Sequence, residues 1–215
     1  MTTLKTEINF TLYHYWRSSC SWRVRWALNH KGIAYADRAI NLLQNEQNSP
    51  DFLAKNPGGY VPAVEFDGEV FGESLAILEW IEETHPARPL LPKSPADRLR
   101  VRQMCHVIAS GIQPIQNLAV MRLHSSDASE QAKWASHWIA TGLEKFEALI
   151  TPYADQFCFG GALSFADLCL VPQVHNAIRF NVSLLPYPVL ARINAHCLTL
   201  PACIASAPQN QPGAS

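Results

Sequence analysis

A chain of 215 residues can hold one large domain or two small ones around a substantial buried core. Charged residues make up only 16%, against about 25% in an average soluble protein, so some surface is expected to be hidden in a dimer. The formal net charge of −1 gives no electrostatic support for a nucleic-acid or anionic-membrane partner.

Met1 to Lys5 have no apolar run behind them, so no secretory signal is expected, and no uncharged apolar window is long enough for a bilayer. Cys20, Cys105, Cys158, Cys169, Cys197 and Cys203 are scattered, without C-x-x-C pairs or metal-type spacing. They read mostly as small core residues in a reducing compartment, the cytosol, and no metal site is expected.

The first 84 residues alternate strand and helix. Phe10 to Tyr13 read as a strand, Val24 to His30 as a helix closed by Gly32, and Ala34 to Ile40 as a second strand. Residues 41–59 read as a loop with at most a short helix at Asp51 to Lys55. Tyr60 to Phe66 and Glu69 to Phe71 flank Asp67-Gly68, a two-residue hairpin signal, and Glu73-Ser74 opens a helix with Ala76, Ile77, Trp80 and Ile81 facing the core.

Four prolines in residues 85–95 predict a stiff linker, after which the strand signal disappears. Asp97 to Leu123 suggest one long helix bent at Pro114, with Leu99, Val101, Met104, Cys105, Ile108 and Ile112 on its apolar side. A second helix is expected from Gln131 to Ile150. A third follows a capping box at Ser164 to Asp167 and runs to Arg179 despite Pro172. The last helix is expected near Val189 to Thr199, and the tail after Ser206 should be loose. The expected division is an α/β unit (1–84), a linker (85–95) and an all-helical unit (96–215).

Three stretches carry chemistry. In Arg17-Ser18-Ser19-Cys20-Ser21 three hydroxyls and a thiol crowd a strand-to-helix turn, where free backbone N–H groups favour an anion such as a thiolate. Serine is also an ordinary helix cap. In Val61-Pro62, a cis bond would leave Val61 N–H and C=O pointing outward, ready to pair with an extended peptide. Glu73-Ser74 can complement the helix dipole, or hold the ammonium and carboxylate of an amino-acid end.

In this order and with these gaps the three stretches resemble the cytosolic glutathione transferases. Arg17 to Arg25 is similar to the Ser-Ser-Cys motif of their zeta class, the maleylacetoacetate isomerases. Asn41-Leu42-Leu43 with Gln47, Asn56-Pro57, residues 111–118, residues 166–174, Arg179-Phe180 and Gln211-Pro212 extend the likeness over nearly the whole chain.

The resemblance implies a thioredoxin-like N-terminal domain, a helical-bundle C-terminal domain, a homodimer and glutathione as cofactor. Ser18 would hydrogen-bond the glutathione sulfur, and Ser19 and Cys20 would shape the sulfur site. Val61 would pair with the cysteinyl backbone, and Glu73 and Ser74 would hold the γ-glutamyl end. Gln47, Gln113 and Asn117 match further glutathione-contacting positions. The implied reaction is cis-to-trans isomerisation of maleylacetoacetate, a small dicarboxylate from aromatic amino acid breakdown, by thiolate addition, bond rotation and elimination. Arg17 and Arg179 are the candidates for the substrate carboxylates, which suit bidentate arginine. Alternatives are maleylpyruvate isomerisation, transfer to small α-haloacids, a disulfide reductase using Cys20, and a non-catalytic glutathione-binding module.

Overall fold

A computed structural model of the chain describes residues 10–214. The expectation made for Met1 to Lys5 therefore lies outside the described residues. Two compact units emerge: one contains the described residues up to Arg88 together with those from Pro201, the other Pro89–Leu200. Among the described residues no helix is long and apolar enough to cross a membrane, and no His, Cys, Asp and Glu cluster is placed to hold a metal ion.

In the first unit β1 (Thr11–His14) is followed by α1 (Ser19–Lys31), β2 (Ala36–Ala39), α2 (Pro50–Lys55), β3 (Ala63–Phe66), β4 (Glu69–Phe71) and α3 (Ser74–Thr84). The sheet order is β2-β1-β3-β4. β1 is parallel to β2, and the other two pairings are antiparallel. Side chains alternate across it. Phe10 meets Trp80 of α3 edge-on at 5.6 Å, and His14, on the same face, meets Arg25 of α1. Tyr13, on the other face, packs on Phe52 of α2 at 5.7 Å. This is a thioredoxin-like arrangement.

Local chemistry sets the element ends. Ser18 caps α1 by accepting the Ser21 N–H, so the helix starts at Ser19, ahead of the expected Val24, and Gly32 ends it with φ of 72°. β3 starts only at Ala63, because Pro62 has no N–H for the ladder. On α3 the buried face is Ser74, Ile77, Leu78, Ile81 and Glu82, a regular helical stripe that leaves Ala76, expected inside, exposed.

The second unit holds α4 (Pro95–Ala109), α5 (Leu118–His124), α6 (Ala128–Ile150), α7 (Phe165–Arg179) and α8 (Pro188–Cys197). The single bent helix expected from Asp97 to Leu123 is instead two helices. The N–H groups of Ser110 and Gly111 both return to the His106 carbonyl, at 3.0 and 3.1 Å, and Pro114 supplies no donor, so the ladder stops. Leu99, expected on the apolar side, is 67% exposed, whereas Val101, Met104, Cys105 and Ile108 are buried. The capping box of α7 forms as expected: the Asp167 carboxylate accepts from the N–H and the hydroxyl of Ser164, both at 2.8 Å.

The chain then returns. Helix α9 (Pro201–Ser206) and the following residues cluster with the first unit rather than with the helical one, and the tail is not loose. Pro208 is buried, and Gln211 Nε2 donates to the carbonyls of Ala205 and Ala207 at 2.9 and 3.0 Å. The tie to α1 is Arg25, fully buried. Its Nε donates to the Ser206 carbonyl at 3.1 Å, its Nη2 to the Trp16 carbonyl at 3.0 Å, and its Nη1 to the Tyr15 carbonyl at 3.3 Å and to His14 Nδ1 at 3.0 Å. Arginine only donates, so His14 Nδ1 accepts and Nε2–H donates to Asp37 at 2.8 Å. Burial brings the Arg25 guanidinium down to about 10, still charged at neutral pH.

Burial, reinforced by the Arg25 charge, holds the His14 pKa below its usual 6.5. Below about pH 6.5 the unfolded chain gains a proton that native His14 refuses, so stability falls there as pH falls, by at most about 1.4 kcal/mol per pH unit for one proton. His30, lowered mainly by burial, adds in the same direction. Urea unfolding between pH 7.5 and 5 should therefore give a flatter profile for His14→Gln than for the wild type; parallel profiles would refute the assignment. A second expectation concerns Gly142, where an added Cβ would sit 2.2 Å from Ile112 Cγ1. Gly142→Ala should lose about 1–3 kcal/mol by overpacking, measured by thermal melting, and should cost less in an Ile112→Ala background than in the wild type.

Candidate functional site

The sheet register gathers the chemical stretches of the first unit at one end. His14 lies beside Ala39 in the parallel pair, Tyr13 opposite Ala63, and Val64 opposite Phe71. The ends of β1, β2 and β4 and the beginning of β3 therefore share one edge. From it emerge Arg17 to Cys20, the loop carrying Gln47, Val61, and Glu73-Ser74. Two helix N-termini, those of α1 and α3, also start there, and neither has an acidic residue in its first turn. Each such terminus carries about half a positive charge and free N–H donors.

Ser18 has extended backbone torsions, and its Oγ accepts the Ser21 N–H at 3.2 Å. A hydroxyl has one proton and two lone pairs, so capping leaves the Ser18 O–H free to donate to an anion. Ser19 and Cys20 occupy the first turn of α1 and are half-buried. Arg17 is half-buried and its guanidinium lies 5.4 Å from the Trp16 ring centroid.

Val61 precedes a cis bond to Pro62. Among the described residues neither its N–H nor its C=O has a backbone or side-chain partner, which fits an extended peptide ligand. Gly59, at φ of 63°, lets the Gln47 loop approach: an added Cβ would lie 3.2 Å from the Gln47 carbonyl oxygen. Gln47 Nε2 donates to Asn45 Oδ1 at 3.0 Å, while its Oε1 is buried without a partner among the described residues. That orphaned acceptor lies in the loop that Gly59 brings towards Val61.

Glu73 is exposed and caps α3 at φ of 62°, a sparsely populated conformation for a non-glycine residue that costs about 1–3 kcal/mol. Ser74 is buried and its Oγ accepts from Arg23 Nη1 of α1 at 3.0 Å. Sequence reasoning missed Arg23. A buried arginine one turn into a helix gives no sign of its partner 51 residues away.

Gln113, Asn117 and Arg179 belong to the second unit and are described there. Gln113 is buried and donates from Nε2 to Gln173 Oε1 at 3.3 Å; Gln116 donates to the same oxygen at 3.0 Å. Gln173 in turn donates to Gln116 Oε1 at 3.1 Å, so three glutamines form one buried network. Asn117 is exposed and caps α5 with its Oδ1, which accepts the Ala119 N–H at 2.9 Å. Arg179 is exposed at the end of α7, its guanidinium 4.7 Å from the Phe180 ring centroid. The glutamines at 116 and 173 stood in matched motifs but carried no assigned role, because a helical pattern does not show which buried amides face each other.

The free peptide group at Val61, the orphaned Gln47 oxygen and the two open helix starts suit a ligand with an extended backbone and anionic ends, as glutathione is. Comparison with known proteins agrees. The glutathione S-transferase N-terminal domain family matches residues 12–89. The chain is 49% identical over 214 residues to the maleylacetoacetate isomerase of Dictyostelium discoideum, covering 97% of this chain and 98% of that one. A crystal structure of the maleylacetoacetate isomerase of Anaeromyxobacter dehalogenans with glutathione bound in its active site superposes with a TM-score of 0.88 at 42% identity, over 96% of this chain and 98% of that one. A second structure of that protein holds dicarboxyethyl glutathione and citrate in the active site, with a TM-score of 0.87 at 42% identity over the same shares. A bacterial zeta-class maleylpyruvate isomerase superposes with a TM-score of 0.92 at 37% identity, covering 95% and 100%. The chain belongs to the maleylacetoacetate isomerase family, the zeta class of the glutathione transferases.

Proposed function

We propose that this chain is a glutathione-dependent isomerase that converts maleylacetoacetate to fumarylacetoacetate. The observation that carries the reading is the gathering of Ser18, Gln47, Val61 and Glu73-Ser74 at one end of the sheet in a chain 49% identical to a maleylacetoacetate isomerase. Glutathione, when bound, supplies a thiolate able to add to the activated double bond, permit its rotation and leave as the trans alkene re-forms. The chain's own residues bind and orient.

Ser18 is far too weak an acid to serve as a base at neutral pH. Its free O–H donates to the sulfur and, with the α1 N-terminus, favours the thiolate. Val61 N–H and C=O pair with the cysteinyl backbone, Gln47 adds a contact beside it, and Glu73 with the Ser74 N-terminus holds the γ-glutamyl end. Arg23 holds the Ser74 hydroxyl from the inside, leaving the backbone N–H groups of α3 for a carboxylate. Cys20 borders the sulfur site without acting as nucleophile. Within the second unit Gln113 and Asn117 are the candidate glutathione contacts, and the glutamine network keeps Gln113 in place. Arg17 in the first unit and Arg179 in the second are each candidates for a carboxylate of the dicarboxylate substrate. The same reading takes the working form to be a cytosolic homodimer; the six free cysteines and the low charged share support it.

The likeness to the maleylpyruvate isomerase keeps one alternative substrate in view. Ultraviolet assays with maleylacetoacetate and maleylpyruvate, each with and without glutathione, distinguish the two. Turnover of maleylacetoacetate only in the presence of glutathione is expected, and activity independent of glutathione would overturn the mechanism. Ser18→Ala should reduce kcat/KM about 10- to 100-fold, the loss of one hydrogen bond to a charged group, and raise the pKa of bound glutathione read from thiolate absorbance. Cys20→Ala should stay within a few-fold of wild type. The reverse order would favour a reductase.

A further inference from the structure

The segment between α2 and β3 contains a side chain with a position of its own. Asn56 is the C-cap of α2: its N–H donates to the Phe52 carbonyl at 2.8 Å, and its carbonyl accepts from the Gly59 N–H at 2.9 Å. Its backbone thus belongs to the turn. Its side chain reaches across that turn, where Nδ2 donates to the Tyr60 carbonyl at 2.8 Å. The Tyr60 carbonyl and the Val61 N–H are the two ends of one planar trans peptide, and they point in opposite directions. Holding the carbonyl towards Asn56 therefore aims the Val61 N–H the other way.

The Asn56 head also lies close to two glycines. Its Oδ1 would be 3.5 Å from a Cβ added at Gly58 and 3.9 Å from one added at Gly72, the residue before Glu73. One amide thus stands between the Val61 edge and the beginning of the Glu73-Ser74 stretch.

We propose that Asn56 is a positioning residue for ligand recognition: its side-chain amide fixes the plane of the Tyr60–Val61 peptide so that the unpaired Val61 N–H is presented to the cysteinyl carbonyl of glutathione. This rests on the glutathione-binding reading given above. Asn56 touches no ligand. It acts through a backbone group that no side-chain substitution at Val61 can remove.

The test measures binding by calorimetry to the full chain with two ligands, glutathione and γ-glutamylcysteamine, which lacks the cysteinyl carbonyl. Asn56→Ala should weaken glutathione about 3- to 10-fold, as expected for one neutral hydrogen bond, and change γ-glutamylcysteamine less than 2-fold. Asn56→Leu keeps the size and loses the amide donor without adding a charge, so it carries the same expectation should the alanine variant fail to fold. Equal losses for both ligands, no loss for either, or failure of both variants to fold would overturn the proposal. A wild-type chain that binds neither ligand would instead overturn the glutathione reading, and this inference with it.

Discussion

The corner between β1 and α1 is held from behind by one buried guanidinium. Arg25 donates to the carbonyls of Tyr15 and Trp16, the two residues at which the strand turns toward Ser18, and to Ser206 and His14. A buried charge is tolerated only when its donors are satisfied, so the position of each acceptor is tightly constrained. The turn that carries Ser18, Ser19 and Cys20 therefore inherits its shape from a charge none of those residues touches. His14 extends the constraint to Asp37 of β2, which fixes the imidazole tautomer.

The proposed site combines closed and open polar groups. Side-chain hydrogen bonds are spent within the protein: Arg23 on Ser74 and Asn56 on Tyr60. Backbone groups are left outward at Val61 and at the starts of α1 and α3. Peptide groups held by secondary structure lose little freedom when a ligand arrives, which favours binding by preorganisation. The division also explains why a residue such as Ser18 can cap a helix and donate to an anion at once.

Much of this was legible in the sequence, through signals with a local cause. Asp67-Gly68 marked the hairpin and both residues have positive φ; Ser164 and Asp167 marked the α7 cap; Val61-Pro62 marked the special turn before β3. The family resemblance then ordered the site residues. What failed to show depends on distance in the chain. Arg25 and Ser206 are 181 residues apart, and nothing in a Pro-Ala-Cys-Ile-Ala-Ser run says that its carbonyl meets a buried arginine. Similarly, the apolar spacing from Asp97 to Leu123 continues through Ser110 and Gly111, although the hydrogen-bond ladder does not. Periodicity reports which face is greasy, not whether the backbone stays helical.

The return of α9 to the first unit has a consequence for how the protein is made. A ribosome delivers Arg25 long before Ser206, and at about 5–20 residues per second the interval is roughly 10–40 s. Until Ser206 is made, the guanidinium can reach the carbonyls of Tyr15 and Trp16 but not its fourth acceptor. The corner bearing Ser18 is thus synthesised well before the contact that completes its support. A nascent first unit waits, with one donor of its central charge short of its native partner, for a carbonyl 181 residues further along the chain.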